Sequence, residues 1–345
     1  MRLAVRLRIA GLALVAATAA AGLASCSAAP GVAYAQGPHP ADSSPAAATS
    51  APSSPARAST PAPAPATTTP AMTTPATPAG PTILVTGAPR GVKAKSGVLV
   101  DATTGQVLWS KDPDTPRPIA SITKVMTALL VLEAGDLNQE IAVPKAVIAY
   151  VAKYDANAVG LKPGQTFTAD ELLHMMLVVS AADAAYTLAN FYGPGVPAFV
   201  AKMNAEAAEL GLTDTHFTSP DGLPYPTETS TYSTPAELVK LGEIAMTYPE
   251  FRSIADMRVY NLPKGDGHSF YSVSTDNAFL KTYPGAIGIK TGFTDGAGHT
   301  LLFEAVRGNR TLIGVVLGSP PTSFASAAQD ATKILNWAFA LKQSG

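Results

Sequence analysis

The chain has 345 residues, a formal net charge of −1 and a sequence pI near 6.5, which excludes the basic footprint of a nucleic-acid-binding protein. Charged residues make up 14 %, and the single cysteine, Cys26, rules out an internal disulfide framework. Much of the alanine, proline and threonine bias lies before residue 81, so the globular part is confined to the residues after it.

Residues 1–26 read as an export signal. Arg2, Arg6 and Arg8 give a basic start, and Ile9 to Ala24 is an apolar run of signal length, short and alanine-rich for a membrane span. The run ends in Leu23-Ala24-Ser25-Cys26, which resembles the lipobox of bacterial lipoproteins, in which the cysteine carries the lipid. The resemblance makes Cys26 the expected lipidation site and implies a protein held at the outer face of the cytoplasmic membrane. An ordinary signal cut at Ala33-Tyr34-Ala35 is the alternative, and would leave a protein secreted to the cell wall. Residues 27–86 are expected to be a disordered spacer. From Ser43 to Pro81 the chain is built almost wholly of Ala, Pro, Ser and Thr, with Arg57 its only basic residue, and cannot bury a core.

Residues 87–345 are expected to form one folded domain, with a helical subdomain at about 140–232. Gly97-Val98-Leu99-Val100-Asp101 and Gln106-Val107-Leu108-Trp109 read as two strands around the turn Thr103-Thr104-Gly105. A helix follows Pro116 and Pro118, with Ile122, Val125, Met126, Leu129 and Leu132 at helical period and Gly135 as its stop. Thr168-Ala169-Asp170-Glu171 is a capping box opening a helix that runs toward Ser180. Pro197 to Leu210 is a further helix closed by Gly211, and Thr234-Pro235-Ala236-Glu237 starts another. Ile287 to Phe293, Leu301 to Val306 and Thr311 to Leu317 read as strands, the last two joined at Gly308-Asn309. A helix from Ser323 to Lys342 closes the chain. Strands at both ends and helices between them predict an α/β (α+β) fold: one antiparallel sheet flanked by helices, with a helical insertion.

The chemistry centres on Ile119-Ala120-Ser121-Ile122-Thr123-Lys124, the chain's one Ser-x-x-Lys. Residues three apart share a helix face, so the Ser121 hydroxyl and the Lys124 amine can meet. A serine needs a neighbouring base to become a nucleophile, and lysine is a base only when its proton is removed near neutral pH. Burial and a second cation, Lys290, are the causes available for such a shift. Taken alone, the pair also fits a solvated helix start. Ser180 in Val178-Val179-Ser180-Ala181-Ala182-Asp183 and Lys290-Thr291-Gly292 on a late strand complete a constellation in chain order.

That order resembles the penicillin-recognising serine enzymes. The stretches Arg117 to Ala128, Val159-Gly160-Leu161-Lys162-Pro163-Gly164, His216-Phe217 with Asp221-Gly222-Leu223, and Gly288 to Thr294 resemble D-alanyl-D-alanine carboxypeptidases of the peptidase S11 type, over about residues 95–342. The resemblance implies a β-lactamase/transpeptidase-like fold and a serine hydrolase that trims peptidoglycan stem pentapeptides, with β-lactams as covalent inhibitors. It implies catalytic roles for Ser121, Lys124, Ser180 and Lys290. Lys290, Thr291, Gly292 and Phe293 would bind substrate, with the N–H groups of Ser121 and Phe293 as the oxyanion hole and Gly292 letting substrate backbone lie close. No cofactor is expected. The histidines 39, 174, 216, 268 and 299 lack metal-ligand spacing, so no metal is assigned.

Two departures stand out. Ala182 occupies the place where the family's Ser-x-Asn motif has its asparagine, which bonds the substrate's amide carbonyl and the first-motif lysine. Thr275-Asp276-Asn277 offers no arginine ahead of the Lys-Thr-Gly strand, where the family often has one. The alternatives left by the sequence are a DD-endopeptidase, a β-lactamase-like hydrolase, or a weakly catalytic lipoprotein that binds β-lactams or the wall. Lys95-Ser96-Gly97, which also fits Lys-Ser/Thr-Gly, is read as a solvated strand end.

Overall fold

The computed structural model describes residues 82–343. The signal, Cys26 and the spacer up to residue 81 lie outside the described residues. Packing reaches back beyond residue 87: Ile83 is buried, bridges Gln343, and has its N–H bonded to Gln106 Oε1 at 2.9 Å.

The first two strands, β1 (Ser96–Asp101) and β2 (Val107–Lys111), form the expected hairpin. Asp101 Oδ1 holds its turn by accepting from the N–H groups of Thr103 and Thr104. After β3 (Arg117–Pro118) a 3-10 turn, Ala120–Thr123, leads into α1 (Lys124–Glu133). The middle of the chain carries β4 (Glu140–Ala142), α2 (Ala146–Tyr154), β5 (Thr166–Thr168), α3 (Ala169–Val178), α4 (Ala182–Tyr192) and α5 (Val196–Glu209). Then come β6 (Tyr232–Ser233), α6 (Pro235–Ala245), α7 (Pro249–Ala255), β7 (Val259–Leu262), β8 (Tyr271–Ser274) and α8 (Ala278–Thr282). The chain closes with β9 (Ala286–Thr294), β10 (Gly298–Arg307), β11 (Arg310–Ser319) and α9 (Ser326–Phe339).

The main sheet is antiparallel, in the order β2-β1-β11-β10-β9. Its two faces follow from the period of two along each strand. Val98, Val100, Leu302, Ile313 and Val315 face the large core that includes α1, α3 and α6. Leu99, Leu301, Phe303, Leu312 and Val316 face a second core under α9. With both faces covered, β1 is buried at every residue, which is why it reads as an unbroken apolar run.

The α1 helix runs through the large core and packs against α3, α4, α5 and α6. Val125, Met126, Ala128, Leu129 and Val131 have no exposed surface, the pattern of a helix apolar all round. The capping box at Thr168 is formed in full, and Thr234 caps α6 through the Glu237 N–H. The last helix is shorter at both ends than the expected Ser323 to Lys342. Past Phe339 the bonds tighten to three-residue spacing, with the N–H groups of Ala340 and Leu341 donating to the carbonyls of Trp337 and Ala338, and Arg310 Nη1 also donates to the Ala338 carbonyl at 3.1 Å. Lys95-Ser96-Gly97 is only partly as expected: Lys95 is exposed, but Ser96 is buried and paired with Leu317.

Candidate active site

Ser121 sits in the 3-10 turn ahead of α1, so its hydroxyl lies one turn from the Lys124 side chain. Lys124 Nζ is 3.0 Å from Ser121 Oγ and donates to the main-chain carbonyl of Asp221 at 2.8 Å. The lysine is 2 % exposed. Burial pushes its pKa down to about 8, against the opposing charges of Asp221, Asp276 and Asp183. An amine so placed is neutral in an appreciable fraction of molecules near neutral pH and can take a proton from Ser121.

Two close approaches hold the turn. Gly222, at φ +81°, lies so near Ala120 that a Cβ there would fall 1.9 Å from the Ala120 carbonyl oxygen. Gly292 of β9 faces the turn from the other side: a Cβ would fall 2.9 Å from Ser121 N and 2.6 Å from Thr300 Oγ1. The missing side chain of Gly292 therefore leaves room for the protein's own nucleophile turn to pack against β9. Ala120 itself has φ +49°, costly for an alanine, and keeps it because Thr123 Oγ1 donates to its carbonyl at 2.8 Å and Gly222 packs on it.

Lys290 lies on β9 opposite Leu302, hence on the sheet face turned toward α1. It is 2 % exposed, its Nζ donates to the Thr291 carbonyl at 2.9 Å, and burial with the neighbouring Lys124 charge pushes its pKa down to about 7. Burial was one of the two causes expected for Lys124, and it dominates. The two ammonium groups disfavour each other's charge, which adds to the effect of burial.

Ser180 stands between α3 and α4 at φ +63° and is 7 % exposed. Among the described residues neither Lys124 nor Ser121 hydrogen-bonds to it; the two bonds of Lys124 go to Ser121 and Asp221. Asp183, in the first turn of α4, is among the charges that oppose the lowering of the Lys124 pKa. The Asp183 carboxylate is turned into the 159–161 loop, accepting from Gly160 N and Leu161 N, each at 2.9 Å. Ala182 is buried, with its N–H bonded to the Asn157 carbonyl at 2.8 Å. Thr291 donates to Asp276 Oδ1 at 3.3 Å, and Phe293 is half exposed with its ring against His299. β9 is the edge of the main sheet, so a strand edge lies beside the serine.

Two participants carried no role in the sequence reading. Asp221 was legible only as part of Asp221-Gly222-Leu223, and Tyr150, whose hydroxyl donates to Asp221 Oδ2 at 2.9 Å, gave no signal at all. No group of three or more possible metal ligands occurs among the described residues.

A serine activated by a buried lysine, set beside the edge of an antiparallel sheet with helices on both faces, defines a serine hydrolase of the penicillin-binding class. The family model described as D-alanyl-D-alanine carboxypeptidase (peptidase S11) matches residues 84–321, and the chain belongs to that family. The D-alanyl-D-alanine carboxypeptidase of Streptomyces sp. strain K15 is 37 % identical over 262 residues, covering 72 % of this chain and 88 % of the relative. D-alanyl-D-alanine carboxypeptidase DacB2 of Mycobacterium tuberculosis is 40 % identical over 255 residues, covering 72 % and 83 %. The crystal structure of the Streptomyces K15 DD-transpeptidase superposes with a TM-score of 0.69 at 36 % identity, covering 74 % of this chain and all of that one. A D-alanyl-D-alanine endopeptidase of Escherichia coli is also similar, 31 % identical over 259 residues, covering 71 % and 77 %.

Proposed function

We propose that this D-alanyl-D-alanine carboxypeptidase family member removes the terminal D-alanine of peptidoglycan stem pentapeptides through an acyl-enzyme on Ser121. The observation that carries the reading is the Lys124 amine, buried, 3.0 Å from the Ser121 hydroxyl and with its pKa pushed down to about 8. Ser121 Oγ attacks the carbonyl between the two D-alanines while neutral Lys124 takes its proton. The N–H groups of Ser121 and Phe293 hold the oxyanion. Ser180 passes a proton to the leaving amine, the D-alanine departs, and water then cleaves the Ser121 ester. Lys290 and Thr291 face the substrate's terminal carboxylate. β-Lactams acylate the same serine.

The working place is the outer face of the cytoplasmic membrane. Cys26 carries the lipid, and the proline-rich stretch lets the domain reach into the wall. Cys26→Ser then moves the protein to the soluble fraction, whereas a mature N-terminus at Gln36 would overturn the anchor.

Intact mass after treatment with a labelled penicillin tests the active site. One adduct on the wild type and none on Ser121→Ala is the expected result, and an adduct that survives the substitution would overturn it. Free D-alanine from a pentapeptide distinguishes the carboxypeptidase from an endopeptidase, the activity in the name of the Escherichia coli relative, which here would instead release stem peptides from crosslinked dimers.

A further inference from the structure

Asp276 brings a charge of the wrong sign to the end of the site that receives an anion. It lies between β8 and α8, and its neighbours fix it there. Thr275 and Asn277 are buried; Thr275 Oγ1 accepts from the Asn277 N–H at 3.2 Å, and Asn277 Oδ1 caps α8. The Thr275 N–H is tied to the Arg258 carbonyl at 2.9 Å. Asp276 itself is exposed, and Thr291 Oγ1 donates to its Oδ1 at 3.3 Å. Its charge is felt by both Lys290 and Lys124, favouring the protonated amine in each case.

Thr291 has one hydroxyl proton, and in the free enzyme it is committed to Asp276. A substrate carboxylate binding at Thr291 and Lys290 has to take that proton over and then rest beside a second anion. Two carboxylates sharing one hydroxyl and one ammonium repel each other. A C-terminal amide meets the opposite situation, because its N–H donates to Asp276 instead of opposing it.

We propose that Asp276 is a specificity-determining residue that lowers the affinity of the site for acyl donors ending in a free carboxylate, relative to donors whose C-terminal residue is uncharged. The inference rests on the Ser121 reading above. It deepens that reading by naming the charge of the C-terminal group as the selected feature.

The test uses two peptides of the same sequence ending in D-Ala-D-Ala, one with a free carboxylate and one with a primary amide. Release of D-alanine or its amide is followed for the wild type, Asp276→Asn and Asp276→Ala. Asn keeps an acceptor for Thr291 and removes only the charge; Ala removes both. Each enzyme is first titrated with a labelled penicillin to count acylated Ser121. In both variants KM for the carboxylate peptide is expected to fall about threefold to tenfold with kcat changing less, the size expected for one exposed charge. KM for the amide peptide should stay level or rise. An altered protonation of Lys124 would change both peptides alike and cancels in the ratio of their kcat/KM values. Loss of the Asp276 charge also eases deprotonation of Lys290, which would weaken the carboxylate peptide alone, so the ratios are compared at about pH 6, below the Lys290 value of about 7. An unchanged ratio in either folded variant overturns the proposal while penicillin still labels Ser121. Failure of penicillin to label Ser121 in the wild type overturns the reading beneath it as well.

Discussion

The Lys124 amine donates at 2.8 Å to the carbonyl of Asp221, a residue 97 positions further along the chain. This bond aims the amine without neutralising it, since a carbonyl accepts from either the charged or the neutral form. The Asp221 carboxylate is itself fully buried and held by Tyr150 Oη at 2.9 Å and the Leu223 N–H at 3.2 Å. The base is thus fixed from both ends, by its own helix and by the 219–223 loop. Lys124→Ala should lower the rate of penicillin acylation by about 10²–10⁴, the usual worth of a positioned general base, with Ser121 still in place. Stopped-flow acylation measures this directly, and a loss below about tenfold would assign the base to another group.

The two buried lysines predict a bell-shaped pH dependence of kcat/KM. Attack needs Lys124 without its proton, so the rate rises with pH toward about 8. Holding a carboxylate needs Lys290 with its proton, which is lost as pH rises through about 7. The groups acting on this pair are Asp221, Asp183 and Asp276 around Lys124, and Asp276 with Lys124 itself around Lys290. The productive arrangement, Lys124 neutral and Lys290 charged, is the less favoured of the two one-proton arrangements, and its share rises and falls with the one-proton state, which is most populated between the two values. The expected maximum therefore lies between about pH 7 and about pH 8. A profile flat from about pH 6 to about pH 9 would contradict the assignment.

Lys290→Met should abolish carboxypeptidase activity yet stabilise the fold. The folded pKa lies below the ordinary lysine value, so the unfolded chain holds the proton more tightly. The burden on stability is complete below about pH 7 and is relieved as pH rises toward 10.5. Methionine has a similar volume and no charge, and a gain of roughly 1–3 kcal/mol is expected at about pH 6. Thermal unfolding of the pair of proteins should show a Tm raised by about 3–10 °C at about pH 6 and by less at about pH 9. A gain that grows with pH would refute the electrostatic origin.

Gly222→Ala should damage both stability and acylation. The added Cβ meets the Ala120 carbonyl at 1.9 Å and Thr123 Oγ1 at 2.7 Å, in a backbone conformation that alanine adopts only with strain. A cost of roughly 2–5 kcal/mol follows, and relaxation moves the Asp221 carbonyl away from Lys124. Gly308→Ala is the control: its φ is +60°, nothing lies within 4 Å, and acylation should be unaffected. Equal acylation rates for Gly222→Ala and the wild type would show that the loop does not position the base.

Ala182→Asn should raise kcat/KM for a D-Ala-D-Ala peptide. Ala182 opens α4 with a methyl that offers no hydrogen bond, and the neighbouring Asn157 amide is already committed to the Val179 carbonyl at 2.6 Å. A hydrogen bond to a charged group made only in the transition state is worth about 1.5–3 kcal/mol, or roughly 10- to 150-fold in rate. The site is buried, so unfolding curves accompany the kinetics. A stable variant with unchanged or lower activity would mean that another group already fills the role.

What the sequence by itself determined is what rests on short-range spacing. Short apolar runs bounded by turn residues marked β1, β2 and β9 to β11, and Thr168 and Thr234 marked two helix starts through bonds spanning three residues. Ser121 and Lys124 were legible for the same reason, being three residues apart at a helix entrance. Helices α2 and α4 were not read from the sequence: they start with neither a side-chain cap nor a first-turn proline, the start signals present in α3, α5 and α6. The tertiary structure alone decided the electrical state of the site. Whether a lysine sheds its proton depends on how much water the fold removes around it, and Lys124 and Lys290 are dried by segments from all along the chain. The Asp221 carbonyl, the Tyr150 hydroxyl and the Thr291–Asp276 bond reach across 97, 71 and 15 residues. No local pattern encodes such distances, because they exist only once both cores have closed around α1 and the main sheet.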